Sequence, residues 1–182
     1  MRWYFERMRG GETCPPRKPL SKIGWSWLGA FAGIYAISLL NELLYFNQSV
    51  RLFLIGSFGA SAVLIYGAPM AEFSQPRNLV YGHLVSAAVG VTMFQLVPYS
   101  VALAAALAVS IAIVAMHLTR SLHPPGGATA LIAVIGGSEI HGLGYWYLLS
   151  PVLPGVVIML VVAVLVNNLS SNPKRHYPKY WF

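Results

Sequence analysis

The sequence predicts an all-α polytopic membrane helical bundle, with four long spans and two short half-helices. Of its 182 residues, 57% are hydrophobic and only 9% are charged, whereas a soluble domain carries about 25% charged residues. Only six charged side chains lie between Lys22 and Lys174. The 42 residues between Arg77 and Arg120 carry no charge. Since a spanning helix needs about 20 apolar residues, these intervals are long enough for membrane spans.

The apolar segments alternate in length, in the order long, short, long, long, short, long. They cover 24–44, 52–66, 79–96, 101–118, a short piece ending near 135, and 147–166. The polar connections include a break at 47–51 and loops at 67–78 and 136–144. The predicted organisation is a basic arm (1–22), a transmembrane domain (23–170) and a basic tail (171–182).

The basic residues concentrate at the two ends of the chain. Six of them precede the first apolar segment and three follow the last. This positive-inside pattern predicts a multi-pass protein of the cell inner (plasma) membrane with both termini cytoplasmic. It also argues against a nucleic-acid partner and favours contact with membrane lipids. The two short segments either cross the membrane or re-enter it, and both topologies leave the termini inside.

Two short stretches resemble each other at an offset of 68 residues. Residues 59–64 read Gly-Ala-Ser-Ala-Val-Leu, and residues 127–132 read Gly-Ala-Thr-Ala-Leu-Ile. The surrounding segment order also recurs, which predicts two inverted repeats over about 23–97 and 100–168. Short segments interrupted by Gly or Pro at matching positions are typical of a transport site. The alternative is chance similarity between small-residue packing faces.

The strongest local feature runs from Arg120 to Thr129. Pro suits the first turn of a helix, and Gly permits close approach of a backbone or ligand. A helix that begins there is expected to bind an anion at its N-terminus, near ionisable residues that are costly at membrane depth. The alternative is a tight turn followed by a packing face. The predicted substrate-binding residues are Ser57, Gly59, Ser61, Arg77, Asn78, His83, Arg120, His123, Pro124, Pro125, Gly126, Gly127 and Thr129.

Enzyme motifs are absent from the sequence. It contains no Asp, no His-Glu-x-x-His, no Gly-x-Ser-x-Gly and no phosphate-binding loop. The five histidines lack ligand spacing on one element. We therefore expect no enzyme activity, no catalytic residues, no metal and no cofactor. An intramembrane enzyme that pairs Ser57, Ser61 or Ser121 with His83 or His123 is the remaining enzymatic alternative.

Three blocks resemble the HPP family of integral membrane proteins. They are Arg-Ser-Leu-His-Pro-Pro-Gly-Gly-Ala at 120–128, Gly-Ser-Phe-Gly-Ala-Ser-Ala-Val at 56–63, and Gln-Pro-Arg-Asn-Leu-Val-Tyr-Gly-His at 75–83. They occur in the family's order over roughly 20–170. The resemblance implies a small membrane protein with four spans, and it links some members to nitrite transport. The six-segment interpretation differs from that description only in the two short segments.

The residues and the resemblance together predict transport of a small anion, with nitrite as the first candidate. The expected site lies near the membrane midplane, between two Gly/Pro-rich half-helix N-termini and nearby arginines. The alternative is a non-transporting scaffold or a subunit of a larger membrane complex. Faces of small residues also favour a homo-oligomer. Channel and proton-coupled mechanisms both fit the sequence.

Overall fold

The computed structural model describes residues 2–9, 11–44 and 55–182. Its α-helices are α1 (Arg2–Glu6), α2 (Leu20–Leu44), α3 (Gly56–Ala62), α4 (Pro76–Leu96), α5 (Val101–Leu118), α6 (Pro124–Ile135), α7 (Gly137–Leu143) and α8 (Leu153–Leu169). A π-helical turn continues α3 over Val63–Gly67, and another precedes α8 over Leu148–Val152. Short 3₁₀ turns occupy Arg7–Arg9, Glu72–Ser74 and Pro173–Arg175. The predicted all-α fold is confirmed, while the predicted break at 47–51 and the start of the short segment at 52–54 lie outside the described residues.

Four helical stretches in the described ranges are long and apolar enough to cross a membrane. They are Leu20–Leu43, Pro76–Leu96, Val101–Leu118 and Leu148–Leu169, and the shorter apolar helices are Gly56–Gly67 and Pro124–Ile135. The division into four long and two short segments therefore agrees with the sequence prediction. Many large apolar side chains on these helices are exposed, as expected for surfaces that face lipid.

Several predicted boundaries shift, among them the start of α2, which lies at Leu20 and not at 24, and one predicted loop is wrong. Helix α4 begins at Pro76, three residues before the predicted start, because proline fits the first helical position. The last helix continues to Leu169. The predicted loop at 136–144 contains α7, since the positive φ angles of Gly137 and Gly144 (77° and 51°) let the chain turn sharply at both ends of a short helix.

Helix α6 packs closely and in parallel along α4. Near the start of α6, a Cβ built on Gly82 would lie 2.5 Å from the Cβ of His123. Further along, a Cβ built on Gly90 would lie 2.5 Å from the carbonyl oxygen of Ala130. Real Cβ atoms are not found at such distances, so these two glycines set how closely the two helices approach.

Helix α3 and its π-helical turn run alongside α8. The ring of Phe58 fills the space where a Cβ on Gly155 would project. Nearer the C-terminal ends of both segments, Asn167 Nδ2 donates to the carbonyl of Ile65 at 3.0 Å. Each short segment is therefore parallel to one long helix: α6 to α4, and α3 to α8. The inverted repeat itself stays a prediction.

One end of the bundle collects the basic residues, and we call it the basic end, defined by Lys22, Arg77, Arg120 and Arg175. Arg175 there donates to the carbonyls of Tyr66 (2.7 Å) and Lys22 (3.4 Å). The C-terminal tail crosses this end, because the backbone N–H of Lys179 donates to Gln75 Oε1 at 2.8 Å.

A second tail contact fixes the loop before α4. The hydroxyl of Tyr177 donates to the carbonyl of Ser74 at 2.8 Å. Burial raises the pKa of Tyr177, with a smaller contribution from Tyr66, so the phenol remains a neutral donor. The tail thus holds the 3₁₀ turn Glu72–Ser74 in position above the helices.

Candidate functional site

Four polar side chains without any solvent exposure meet between α3, α4 and α6. We call them the histidine cluster: Ser61, His83, His123 and Thr129. Ser61 Oγ lies 2.8 Å from Nε2 of His83 and 2.8 Å from Nε2 of His123. On its other side, His83 Nδ1 lies 2.7 Å from Thr129 Oγ1. The serine hydroxyl therefore bridges two imidazoles whose ring centres are 5.0 Å apart.

The cluster ends on a backbone carbonyl. His123 Nδ1 lies 2.7 Å from the carbonyl oxygen of Phe73, in the loop held by the C-terminal tail. At the opposite end of the cluster, Tyr147 donates to the carbonyl of Thr129 at 3.3 Å. The whole chain of hydrogen bonds thus runs from the loop at the basic end into the bundle interior.

The Phe73 carbonyl fixes where the protons are in the neutral cluster. A carbonyl only accepts, so His123 Nδ1 donates to it and His123 Nε2 is left as an acceptor. Ser61 must then donate to His123 and accept from His83 Nε2. His83 Nδ1 in turn accepts from Thr129. All these donations point in one direction, from Thr129 towards Phe73.

The helices position the two histidines through glycine contacts. His83 follows Pro76 by seven residues on α4, which places it about 10 Å along the axis from the start of the helix. His123 precedes α6 and reaches the cluster because Gly82 has no side chain to block it. Gly126 in the first turn of α6 lies against α4 in the same way, since its Cβ would be 2.8 Å from the carbonyl oxygen of Gly82. At this depth, ionisable groups within a bilayer are costly and usually functional.

The start of α6 differs from the anion-binding helix end that we expected. The N–H groups at the first positions of a helix are normally unpaired. Pro124 and Pro125 have no N–H, and the N–H of Gly126 donates to the carbonyl of His123 at 2.8 Å. The first three helical positions therefore offer no free donor. Any positive charge for a buried anion must come from another source.

Two further hydroxyls beside the cluster have no hydrogen-bond partner. Ser57 Oγ and Ser86 Oγ are buried and unpaired within the described protein. Ser57 lies one turn before Ser61 on α3, and Ser86 lies one turn after His83 on α4, so each shares a helix face with a cluster member. Buried hydroxyls are normally paired, so these two are donors available to a ligand.

A polar cavity opens at the basic end, directly outside the cluster, and we call it the vestibule. Its volume is about 740 Å³. Its lining residues are Glu72, Phe73, Arg77, Asn78, Met116, His117, Arg120, Leu122, Lys179, Tyr180 and Phe182. Three lining side chains are cationic and one is a carboxylate, so the vestibule favours anions. Phe73 belongs to both sites, because its carbonyl accepts from His123.

Arg77 and Arg120 lie in the vestibule and outside the histidine cluster. Arg77 closes the end of α5, where it donates to the carbonyls of Thr119 (2.9 Å) and Arg120 (3.2 Å). Arg120 has a left-handed backbone (φ 55°), and the N–H of Ser121 then donates to Met116 at 2.8 Å, as at many helix C-termini. The arginine backbone therefore shapes the turn into His123, while its exposed side chain faces the vestibule.

The other predicted site residues divide by position. Asn78 joins α4 to the loop before α6, because its Nδ2 donates to the carbonyl of Leu122 at 2.8 Å. Pro125 is buried in the first turn of α6, whereas Pro124 is exposed. Gly59 is exposed and has open space around its Cβ position. A Cβ built on Gly127 would meet only Val109, at 3.8 Å, so the structure does not bring these two glycines to the cluster.

The sequence interpretation missed several contributors. The carbonyl of Phe73, the phenol of Tyr147 and the side chains of Lys179 and Tyr180 all complete the cluster or the vestibule. A backbone acceptor leaves no mark in the residue type. The tail is placed by contacts across about a hundred residues, and only its Tyr-rich, basic composition indicated a contact with the rest of the protein.

The order of these motifs on the helices agrees with a known family. The transmembrane region of the HPP family matches residues 15–178 of this chain. The chain belongs to the HPP transmembrane family. The His-Pro-Pro triplet of the HPP signature is thus the turn that delivers His123 to Ser61 and starts α6 without free N–H groups.

Two relatives are transmembrane proteins of Dictyostelium discoideum. One is 49% identical over 182 residues, which cover 98% of this chain and 57% of the relative. Another is 44% identical over 184 residues, which cover 98% of this chain and 63% of the relative. The chain therefore spans less than two thirds of the length of both relatives. No solved structure matches this HPP protein.

Proposed function

We propose that this HPP protein transports a small inorganic anion across its membrane, and that nitrite is the substrate to test first. The observation that carries the proposal is the histidine cluster: two imidazoles bridged by Ser61 between α3, α4 and α6, behind a cation-lined vestibule. Ionisable groups at such depth mark ion or proton pathways in membrane proteins. The family resemblance to nitrite transporters supplies the candidate anion.

The vestibule and the cluster have separate tasks in this proposal. The cations of the vestibule raise the local anion concentration, and the anion then passes Phe73 to reach the buried cluster. We also propose that the basic end faces the cytoplasm, following the positive-inside rule. A second cavity of about 420 Å³ at this end is lined by Lys18, Lys22, Lys174 and Arg175, and we propose that anionic lipid headgroups occupy it. Assembly into a homo-oligomer stays a prediction.

The direct test is nitrite influx into vesicles that contain the purified protein. Vesicles without protein give the background from undissociated nitrous acid. We expect influx above that background, and we expect His123→Ala to abolish it because the cluster loses one imidazole. His141→Ala is the matched control, since that ring bonds to the carbonyl of Val134 on α6, away from the cluster. A folded wild-type protein that carries no small anion would refute transport.

The vestibule makes a weaker and salt-dependent contribution. Arg120→Ala removes an exposed cation that is not bonded to the cluster, so we expect slower influx with transport retained. The difference from wild type should shrink as salt rises, because about 0.15 M salt already screens charges beyond about 8 Å. Complete loss of transport in correctly folded Arg120→Ala would instead place this guanidinium at the binding site.

A non-transporting scaffold remains the second candidate, and one observation favours it. Every member of the histidine cluster is buried and hydrogen-bonded, as in a polar network whose role is to fix helix packing. The scaffold predicts no flux and a fully stable protein. Loss of flux without loss of stability in a cluster variant argues for transport.

The contact of Ser61 with two histidines also resembles the nucleophile–base pair of a hydrolase. We propose that it is not one. Ser61 is wholly buried, and the nearby helix start has no free N–H to stabilise an oxyanion. A fluorophosphonate probe should therefore leave Ser61 unlabelled, and stoichiometric labelling would restore the enzyme interpretation.

A further inference from the structure

The histidine cluster contains no fixed charge that could hold an anion. In the neutral state both imidazoles are uncharged, and the hydrogen bonds to Phe73 and Thr129 leave each ring with one donor and one acceptor. Arg77 and Arg120 lie in the vestibule, and the start of α6 has no free N–H at its first three positions. Within the described ranges, an anion moved to this depth would meet no cationic side chain.

We propose that the histidine cluster takes up one proton together with each anion, so that transport is an electroneutral proton–anion symport. This inference rests on the proposed function, and it names the source of the positive charge at the site. The proton enters from the aqueous side with the anion and leaves with it on the other side. One positive and one negative charge cross together, and the cluster returns to its neutral state.

The geometry accommodates the extra proton without breaking a hydrogen bond. The added proton binds His83 Nδ1, and His83 passes its Nε2 proton to Ser61 as Ser61 passes its hydroxyl proton to His123 Nε2. His123 Nε2 then donates to Ser61, and Ser61 donates to His83 Nε2. His83 Nδ1 then donates to Thr129, whose hydroxyl turns to the carbonyl of Pro125, 3.4 Å away. Every bond of the neutral chain is kept with its direction reversed, except the bond to Phe73, which is unchanged.

Ser61 also lets the proton pass between the two rings. As His123 Nε2 gives its proton to Ser61 Oγ, Ser61 gives its own hydroxyl proton to His83 Nε2. One N–H and one O–H bond break, and one of each forms, so the serine is unchanged and the charge moves from one imidazole to the other. The two 2.8 Å contacts are within hydrogen-bond reach for both transfers.

The charged groups around the cluster couple proton uptake to anion binding. The elements packed against the cluster carry the following titratable or charged groups: Tyr66 after α3, Glu72 before α4, Arg77 at the start of α4, His117 at the end of α5, Arg120 before α6 and Tyr147 before α8. The only carboxylate among them is Glu72, which is exposed in the vestibule. An isolated imidazolium at this depth is therefore costly, and an anion beside it offsets that cost. By linkage, each then increases the affinity for the other by the same factor.

Two buried hydroxyls supply hydrogen-bond donors for the anion, in addition to the positive charge of the protonated cluster. In the part of the chain that the structure describes, the hydroxyls of Ser57 and Ser86 are buried without hydrogen-bond partners, one helical turn from Ser61 and His83 respectively. Hydrogen bonds to an ionic partner are shorter and stronger than neutral ones. A small oxyanion beside the protonated rings would therefore satisfy donors that the protein itself leaves unpaired.

The test is nitrite influx into vesicles with separately imposed pH and voltage gradients. A symport predicts that a vesicle interior more alkaline by one pH unit raises equilibrium nitrite accumulation about tenfold, at a rate above that of protein-free vesicles. A potassium diffusion potential set with valinomycin should change neither the rate nor the accumulation. In weakly buffered detergent solution, nitrite binding should also take up about one proton per protein, measured with a pH indicator and tied to the linkage above.

The outcomes separate this inference from the proposed function. Protein-dependent flux that follows voltage and ignores the pH gradient overturns the symport and leaves anion transport standing. No protein-dependent flux of any anion overturns both. Ser61→Ala, which separates the rings, should lose the response to the pH gradient, while Ser110→Ala on the exposed face of α5 should behave as wild type. If Ser61→Ala does not fold, the wild-type gradient measurements still decide.

Discussion

The adjacent glycines at the start of α6 provide a matched pair with opposite expectations. A Cβ on Gly126 would lie 2.8 Å from the carbonyl oxygen of Gly82 and 2.7 Å from Ser86 Oγ, and the backbone atom cannot move aside cheaply. A Cβ on Gly127 would meet only Val109 at 3.8 Å, an ordinary contact. Gly126→Ala should therefore push α6 away from α4, whereas Gly127→Ala should be accommodated.

The magnitudes follow from the two environments. Overpacking costs about 1–3 kcal/mol, so Gly126→Ala should lower stability even after the helix preference for Ala. Gly127→Ala should gain up to about 1 kcal/mol, because Gly is the poorer helix former. The helix preference is common to both variants, so the pair should differ by the overpacking cost alone, which is about 2–12 °C in midpoint temperature at about 2–4 °C per kcal/mol for a chain of this size.

Thermal unfolding in detergent, followed by tryptophan fluorescence, measures both variants against wild type. Gly126→Ala should also lose nitrite influx, because α6 carries Thr129 and follows His123. Equal midpoint shifts for the two variants, or a more stable Gly126→Ala, would refute the close α4–α6 contact on which the cluster geometry depends.

Two further variants test the basic end. Arg77→Gln should lower the free energy of unfolding by about 1–3 kcal/mol in thermal unfolding, because the carbonyls of Thr119 and Arg120 lose a charged donor. Arg77→Lys should restore only part of that stability. Full restoration by lysine would contradict the contact of one guanidinium with two carbonyls. Tyr177→Phe removes the donor to Ser74 and should cost about 1 kcal/mol while exposing the C-terminal tail to limited proteolysis; an unchanged cleavage rate would contradict the packing of the tail.

The number and length of the apolar helices were predictable because they depend on local composition. The charge-free interval between Arg77 and Arg120 and the apolar run before Ile135 each reflect a length requirement of the bilayer. The predicted start of α4 was late because apolar residues marked it, whereas Pro76 begins the helix. The α7 helix was missed because Gly, Ser and His around Glu139 also suit a loop.

The membership of the histidine cluster was predictable, but its geometry was not. Ser61, His83, His123 and Thr129 all stood among the candidate residues, since each sits in a short segment or at membrane depth. Their contacts join positions 22 and 62 residues apart, and no local pattern fixes such distances. One signal was present, because Gly82 beside His83 marks a place where another chain segment approaches.

The start of α6 differs from the sequence expectation for a physical reason. A helix start rich in Pro and Gly indicated free N–H groups and an anion site. The two prolines remove those donors, and Gly126 pairs its own N–H with His123. Arg77 and Arg120 were expected beside the start of α6. The side chain of Arg77 instead donates to the carbonyls of Thr119 and Arg120 at the end of α5, and only the tertiary structure shows this contact.

The most direct test of the central claim is a ¹⁵N NMR spectrum of histidine-labelled wild-type protein with and without nitrite at constant pH. Without the anion, His123 should carry its proton on Nδ1 and His83 on Nε2, as the Phe73 carbonyl requires. Adding nitrite should convert this pair to the cationic form while His141 and His176 stay unchanged. Opposite tautomers, or a His83–His123 pair that nitrite leaves neutral, would contradict the account.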